Sequence, residues 1–280
     1  MIRPRELSRT VSLFPAKTPT LPPATHTNSY ALGERDVLLV EPATPYADEQ
    51  RAWIEWARAL PAQGRTPVAI FATHHHVDHV SGVDVLAREL ALPLWAHEET
   101  RARIDAPVAR ILADGDEIVL DGPEPSRWRA LHTPGHAPGH VCLYNDESRA
   151  VIVGDMVASV GTILVAPGDG DMTLYLEQLE RLAGLDARVA LPAHGEPIDD
   201  PTALFRKYIA HRLMREEKVS LAVCARGAAG GTAGELVPDA YADTSPAAWP
   251  WALLSLQAHL EKLVRDGRVA QRGERYAAAP

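Results

Sequence analysis

An α/β layered domain followed by a small helical appendage is the fold that the sequence predicts, and three observations carry that expectation. Short apolar runs rich in Val, Ile and Leu, bounded by Gly, Pro or Asp, alternate with stretches whose apolar residues recur at helical spacing. Several of those runs lead directly into His or Asp. Near residue 200 the alternation gives way to one long helical pattern and a shorter mixed tail.

Taken in order, residues 36–40, 67–72, 130–132, 141–144, 150–153 and 188–191 read as strands. Residues 49–60 and 81–90 read as helices, the second with Ser81 as its N-cap. Farther along, 205–223 reads as a long helix, the Gly- and Ala-rich stretch 226–234 as a loop, and 232–241 as a capped helix. Residues 247–266 form another helical pattern, with Leu253, Leu256, Leu260 and Leu263 at apolar positions, and Gly267-Arg268-Val269 turns into a short strand. Helix, helix, turn and strand in that order predict a winged-helix-like module. The expected division is therefore a catalytic domain over 1–204 and a C-terminal module over 205–280.

With 280 residues, 46% of them hydrophobic, the chain can bury a core without covalent staples. Its two cysteines, Cys142 and Cys224, lie far apart and in no CxxC pattern. That argues against a disulfide framework or a cysteine-rich zinc cluster and suits a reducing cytoplasm. No apolar stretch approaches the ~18 to 20 residues of a membrane span, so no membrane partner is expected. The first twenty residues carry Arg3, Arg5, Arg9 and Lys17 against Glu6 and read as an extended arm, with an Arg-rich targeting segment as the alternative. The formal net charge of −9 is uneven: residues 1–204 hold 17 basic and 29 acidic side chains, and residues 205–280 hold 11 and 8. An acidic body argues against general polyanion binding, while the tail leaves a local basic face open.

The chemistry concentrates in Thr73-His74-His75-His76-Val77-Asp78-His79-Val80-Ser81-Gly82, directly after the strand expected over 67–72. In extended chain, side chains at i and i+2 share a side, so His74 and His76 can grip one ion while His75 points elsewhere. Asp78 and His79, where the chain turns toward the next helix, can aim at a second point nearby. A helix starting at Ser81 would add free N–H groups beside these ligands, which favours anionic substrates or a developing oxyanion. Imidazoles and a carboxylate suit zinc, with iron or manganese also admissible. His136, Asp155 and His194 occupy the same topological position, each shortly after an apolar strand, where α/β proteins place their sites.

These motifs, HxHxDH over 74–79, TPGH ending at His136, GD ending at Asp155 and AHG starting at His194, resemble the metallo-beta-lactamase superfamily over roughly residues 25–200. The resemblance implies an αββα sandwich with a glyoxalase II-like metal set: His74, His76 and His136 on one ion, Asp78, His79 and His194 on the other, and Asp155 bridging them. It also implies two zinc ions per chain, a bridging hydroxide as nucleophile, and Asp78 and Asp155 as the catalytic carboxylates. The family commonly has an Asp after its second strand where this chain has Val40-Glu41-Pro42, so Glu41 is the expected replacement that supports a metal ligand.

Asp155 narrows the activity, because superfamily members that destroy antibiotics usually have Cys or Ser there. The expected reaction is hydrolysis of a small-molecule ester or thioester. The tail, with Tyr208-Ile209-Ala210-His211-Arg212-Leu213-Met214-Arg215-Glu216 and His259-Leu260-Glu261-Lys262-Leu263, looks like the lactamase-like branch that includes a mitochondrial endoribonuclease, with polyketide-releasing thioesterases also similar. Single-strand RNA cleavage is thus the alternative, although the chain shows no aromatic and basic stripe of the kind that stacks bases. A lactonase or an iron redox enzyme on the same fold ranks below both. His140, His211, Arg212 and Arg215 are the candidate substrate-binding residues, and His132 is expected to be structural.

Overall fold

The computed structural model describes residues 4–279; Met1, Ile2, Arg3 and Pro280 lie outside the described residues, and with them the first residues of the expected N-terminal arm. Contacts divide the chain into two compact units. The first takes the chain up to Thr133, then Pro138–Thr162 and Asp186–Pro201; the second takes Pro134–Ala137, Ile163–Leu185 and the chain from Thr202.

In the first unit, β1 (Arg5–Ser8), β2 (Val11–Lys17), β3 (His26–Leu32), β4 (Asp36–Val40), β5 (Thr66–Phe71), β6 (Leu94–Ala96) and β7 (Val108–Ile111) form one sheet in sequence order. Its pairs are antiparallel as far as β4 and parallel from β4 to β7. A second sheet has the order β12 (Val189–Pro192), β11 (Ala150–Gly154), β10 (Val141–Asn145), β9 (Ser126–His132) and β8 (Glu117–Leu120). Helices α1 (Ala47–Ala59), α2 (Val77–Val80), α3 (Val83–Leu90) and α4 (Glu98–Arg101) belong to the same unit.

Strand alternation builds two cores from one sheet. Leu38 and Val40 of β4, with Ala69 and Phe71 of β5, pack against Ile118, Trp128, Ala130, Leu143 and Ile152 of the second sheet. The residues between them, Val37, Leu39 and Ile70, face the other way, onto Trp53 and Ile54 of α1 and Leu86 of α3. A strand buried on both faces must be apolar throughout, which is why the run at 36–40 is continuous rather than alternating. Each large side chain enclosed in this way contributes roughly 1.5–3 kcal/mol relative to exposure.

This packing brings one set of strand ends together. Strands β4 and β5 are parallel and finish at Val40 and Phe71, and β3, antiparallel to β4, begins at the same end with His26. In the second sheet β11 and β12 are parallel and finish at Gly154 and Pro192. Two backbone bonds tie the sheets at this end: Asn28 N–H donates to Ala193 O at 2.8 Å, and Val141 N–H to Thr73 O at 2.9 Å.

The second unit contains α5 (Met172–Ala183), α6 (Pro201–Ala225), α7 (Ala233–Ala240), α8 (Trp249–Arg265) and a three-stranded sheet of β13 (Gly231–Thr232), β14 (Val269–Arg272) and β15 (Arg275–Ala278) in the order β13-β15-β14. Val219 and Val223 of α6, Leu236 and Val237 of α7, and Leu256, Leu260 and Leu263 of α8 enclose its core. Thr232 starts α7 with a reciprocal cap: Glu235 N–H donates to Thr232 Oγ1 at 3.3 Å, and Thr232 N–H to Glu235 Oε2 at 2.9 Å.

Three expectations are corrected. Residues from Arg5 onward are not an arm: β1 and β2 are strands of the larger sheet. Ser81 is no N-cap either; it closes the short helix α2, and its hydroxyl donates to Ala43 O at 2.9 Å, while Gly82 precedes α3. The 226–234 loop contains a 3-10 turn at Gly227–Ala229 and the short strand β13. Among the described residues no helix is long and apolar enough to cross a membrane.

The capping box makes a local prediction. Thr232→Ala should weaken α7 by about 1 kcal/mol, seen as amide exchange about fivefold faster in residues 233–240 of the native chain. Unchanged exchange there would show that tertiary packing alone holds the helix.

Candidate metal centre

The site is assembled where β4, β5, β11 and β12 end. Glu41 follows β4 and is 1% exposed, with a left-handed φ of 61°. That conformation is unfavourable for a non-glycine residue and is fixed from both sides: Glu41 N–H donates to Phe71 O at 2.9 Å, and Ser29 Oγ donates to Glu41 O at 2.5 Å. The bend sends the carboxylate toward the segment after β5.

From there the hydrogen-bond directions follow by elimination. A carboxylate accepts only, so Thr73 Oγ1 donates to Glu41 Oε1 (2.5 Å) and His79 Nδ1–H donates to the same oxygen (3.1 Å). The hydroxyl, having used its proton, accepts from His74 Nδ1–H at 3.0 Å. Both imidazoles are thereby left with a lone pair on Nε2. That of His74 faces His76 Nδ1 at 3.0 Å, and His79 Nε2 is enclosed with no hydrogen-bond partner among the described residues.

His194, after β12, is set the same way by a different acceptor: its Nδ1–H donates to His26 O at 3.0 Å, leaving Nε2 bare. His194 Nε2 lies 3.5 Å from Asp78 Oδ2 and 3.3 Å from Asp155 Oδ1; His79 Nε2 lies 3.8 Å from Asp78 Oδ1 and 3.6 Å from Asp155 Oδ2. These separations are mostly long for direct hydrogen bonds. They match the spacing of tetrahedral ligands around one ion, about 3.4 Å for bonds of ~2.1 Å. Asp78, His79 and His194 each offer a ligand atom within 4.8 Å of the others, as do Glu41, His74 and His79. An enclosed imidazole nitrogen with its proton held at the far ring position, facing two carboxylates, is a donor set that fits a divalent cation.

Electrostatics point the same way. Burial pulls His79 toward neutrality, but Asp78, Glu41 and Asp155 overcome it and hold its pKa well above the ordinary value. Burial pushes the Asp155 carboxyl up, and His194 and His79 bring it well below the usual range. Against its own burial, His194 is raised chiefly by Asp155. A cation bound among these groups would displace the histidine protons.

His140, a candidate for substrate binding, stands behind Asp155. It is fully buried, and since the Asp155 backbone N–H can only donate, His140 Nε2 accepts at 3.0 Å and its Nδ1–H donates to Thr133 Oγ1 at 2.7 Å. Gly154 is glycine for this reason: at φ 47° its missing Cβ would stand 2.4 Å from His140 Nε2. His132, expected to be structural, stacks on His97 at 4.0 Å and donates from Nε2 to Pro138 O at 2.8 Å.

In the second unit, His136 Nδ1–H donates to Leu164 O at 2.8 Å, again leaving Nε2 as the ring's lone-pair atom. The substrate-binding candidates on α6 are not all at the surface. Arg212 and Arg215 are buried; Arg212 donates to Ile163 O, and Arg215 donates to Ala240 O and pairs with Asp243 at 2.9 Å. Arg215 and Lys218 hold the Asp243 carboxyl far below its ordinary value. His211 is the exposed member of the group. Sequence reasoning noticed Glu41 but not Thr73, nor the carbonyls of His26 and Leu164. A backbone oxygen has no sequence signature at all.

Comparison with known proteins gives the family. The metallo-beta-lactamase superfamily profile matches residues 22–194, and a beta-lactamase-associated winged helix domain matches 232–277. The chain belongs to the metallo-beta-lactamase superfamily. Its fold is thus the α/β sandwich of that superfamily with a winged helix, and it is a hydrolase of the family. A beta-lactamase-like protein 2 homolog of Caenorhabditis elegans is 29% identical over 251 residues, which cover 87% of this chain and 80% of the other. The lactamase-like protein aptB of Emericella nidulans is 31% identical, covering 87% and 77%. An atrochrysone carboxyl ACP thioesterase of Aspergillus fumigatus is 29% identical, covering 70% of this chain and 59% of its own length. Among solved structures, a metallo-beta-lactamase family protein from Thermus thermophilus matches with a TM-score of 0.78 at 26% identity, covering 98% of this chain and 100% of the other. TTHA1623, solved in a di-iron-bound form, matches with a TM-score of 0.52 at 26% identity, covering 68% and 96%.

Glu41→Gln keeps the shape of the side chain and removes its charge. Metal affinity in chelator competition should fall about 10- to 100-fold, as for other outer partners of ligating histidines, with the far-UV spectrum unchanged. Undiminished affinity would take Glu41 out of the site.

Proposed function

We propose that this chain is a binuclear metal-dependent hydrolase of small-molecule acyl esters or thioesters. The observation that carries the proposal is the convergence of His79 Nε2 and His194 Nε2, in rings whose Nδ1–H groups are engaged by Glu41 and by His26 O, on the carboxylates of Asp78 and Asp155. In this reading His74, His76 and His136 hold one ion, Asp78, His79 and His194 hold the other, and Asp155 is shared. Two divalent ions there would supply an acidified water and a positive centre for the acyl oxygen. The donor set is nitrogen and oxygen without thiolate, which suits zinc and also admits iron or manganese.

The protein's own groups then have distinct tasks. Asp155 is held by its backbone through His140 and is enclosed, so its carboxylate keeps one orientation. Asp78 is more open, with a side chain 14% exposed, and would orient the attacking water and accept its proton at a carboxylate oxygen. The acyl substrate class is supported by the thioesterase relatives, whose name specifies an ACP-bound acyl group. The wider domain division, 1–204 for catalysis and 205–280 for the module, belongs to the same proposal. Against RNA as substrate, many of the cations in residues 205–280 are already paired with carboxylates: Arg226 with Asp239, Lys262 with Glu216, Arg265 with Asp171, Arg268 with Glu217 and Arg275 with Glu235.

Metal-loaded protein should hydrolyse acyl-thioesters or acyl esters in preference to lactones, beta-lactams and single-stranded RNA. Cleavage of RNA alone would replace the acyl reading with the endoribonuclease one. Separately, Asp155→Ala and His76→Ala should bring bound metal from about two ions per chain to one or fewer and abolish hydrolysis, whereas His75→Ala should leave metal content nearly unchanged. Loss of metal in His75→Ala but not in His76→Ala would refute the assignment of alternate side chains after β5.

A further inference from the structure

We infer that Arg212 is a positioning residue for the metal ligand His136, acting through the carbonyl that fixes the imidazole; the inference rests on the reading of His136 as a ligand. Three contacts within the second unit lead to it. His136 Nδ1–H donates to Leu164 O at 2.8 Å, the bond that leaves Nε2 for metal. The preceding carbonyl, Ile163 O, accepts from Arg212 Nη2 on α6. The guanidinium of Arg212 also lies over the Tyr175 ring, with 5.4 Å from Cζ to the centroid.

The need for such a fixture follows from the backbone. Ile163 and Leu164 sit in a stretch with neither helix nor strand, so no ladder of hydrogen bonds sets the direction of their carbonyls. A buried, charged donor on one carbonyl restricts the rotation of the next peptide plane, because charge-assisted bonds are roughly twice as strong as neutral ones. The loop on the other side of the imidazole is fixed independently. Gly135, at φ 130°, packs so close to α5 that an added Cβ would lie 2.2 Å from Tyr175 N, and its carbonyl accepts from Asp171 N–H at 2.8 Å. Tyr175 therefore touches both the loop that carries His136 and the arginine bonded to the carbonyl that precedes its acceptor.

A lysine at 212 keeps the charge but loses the planar fork that reaches the carbonyl while stacking on the ring. Arg212→Lys should therefore lower metal affinity about tenfold in chelator competition, at the mild end for outer partners of a ligating histidine. A double-mutant cycle with His136→Ala separates the possibilities. If Arg212 acts through His136, Arg212→Lys costs no further affinity in the His136→Ala background. Equal losses in both backgrounds, or no loss in the single variant, overturn the inference. If His136→Ala by itself leaves metal content unchanged, it is the ligand reading that fails. The wild-type chain supplies an independent measurement: ¹⁵N-histidine spectra should show the His136 Nδ1–H tautomer, and an Nε2–H tautomer overturns the inference even where the arginine variant does not fold.

Discussion

A carboxylate enclosed in the protein must find donors, and the donors Glu41 finds determine the rest of the site. Its Oε1 receives the hydroxyl proton of Thr73 and the Nδ1 proton of His79, and through Thr73 it also directs the proton of His74. Two histidines from one short segment thus present Nε2 lone pairs because of a single buried charge. The cost of burying that charge is offset by these hydrogen bonds and, once a cation is bound beyond the imidazoles, by its field. The unfavourable φ at Glu41 belongs to the same arrangement: an ordinary extended residue after β4 would carry the chain past Thr73.

The two-sheet core gives this constraint its rigidity. Alternate residues of β4 and β5 are committed to opposite cores, so slipping either strand by one residue would exchange every buried face. Register at the strand ends is consequently determined within the strands, by Val37, Leu38, Ile70 and Phe71. Across the sheets, the bonds from Asn28 to Ala193 and from Val141 to Thr73 hold the two rows of ends together. Candidate ligands from sequence positions more than a hundred residues apart therefore meet without any one loop having to be stiff.

In the second unit charge is spent on internal structure. Arg215 serves the end of α7 at Ala240 and the carboxylate of Asp243, and its guanidinium lies 4.2 Å from the Tyr241 ring. Glu216 receives Lys262 and Arg268 from α8 and the turn after it. A surplus of basic residues counted along the sequence thus overstates the positive surface, because many of those cations are already neutralised by carboxylates brought near by folding.

What the sequence determined by itself was chemistry that is local. The i, i+2 spacing of His74 and His76, the apolar continuity of residues 36–40 and 150–153, and the Thr232 and Glu235 cap all express periods and contacts that span a few residues. The winged helix was legible for that reason, and so were the strands that precede each candidate ligand. Only the tertiary structure decided matters that depend on distant partners. It showed that Arg212 turns inward to a carbonyl, that His140 supports the backbone of Asp155, and that residues from Arg5 onward complete a sheet. It also showed that the proton of His194 is claimed by His26 O, 168 positions away in sequence. A residue type states what a side chain can donate or accept; which atom answers it is set by the fold, because hydrogen bonding reaches only about 3 Å and chain separation carries no information at that range.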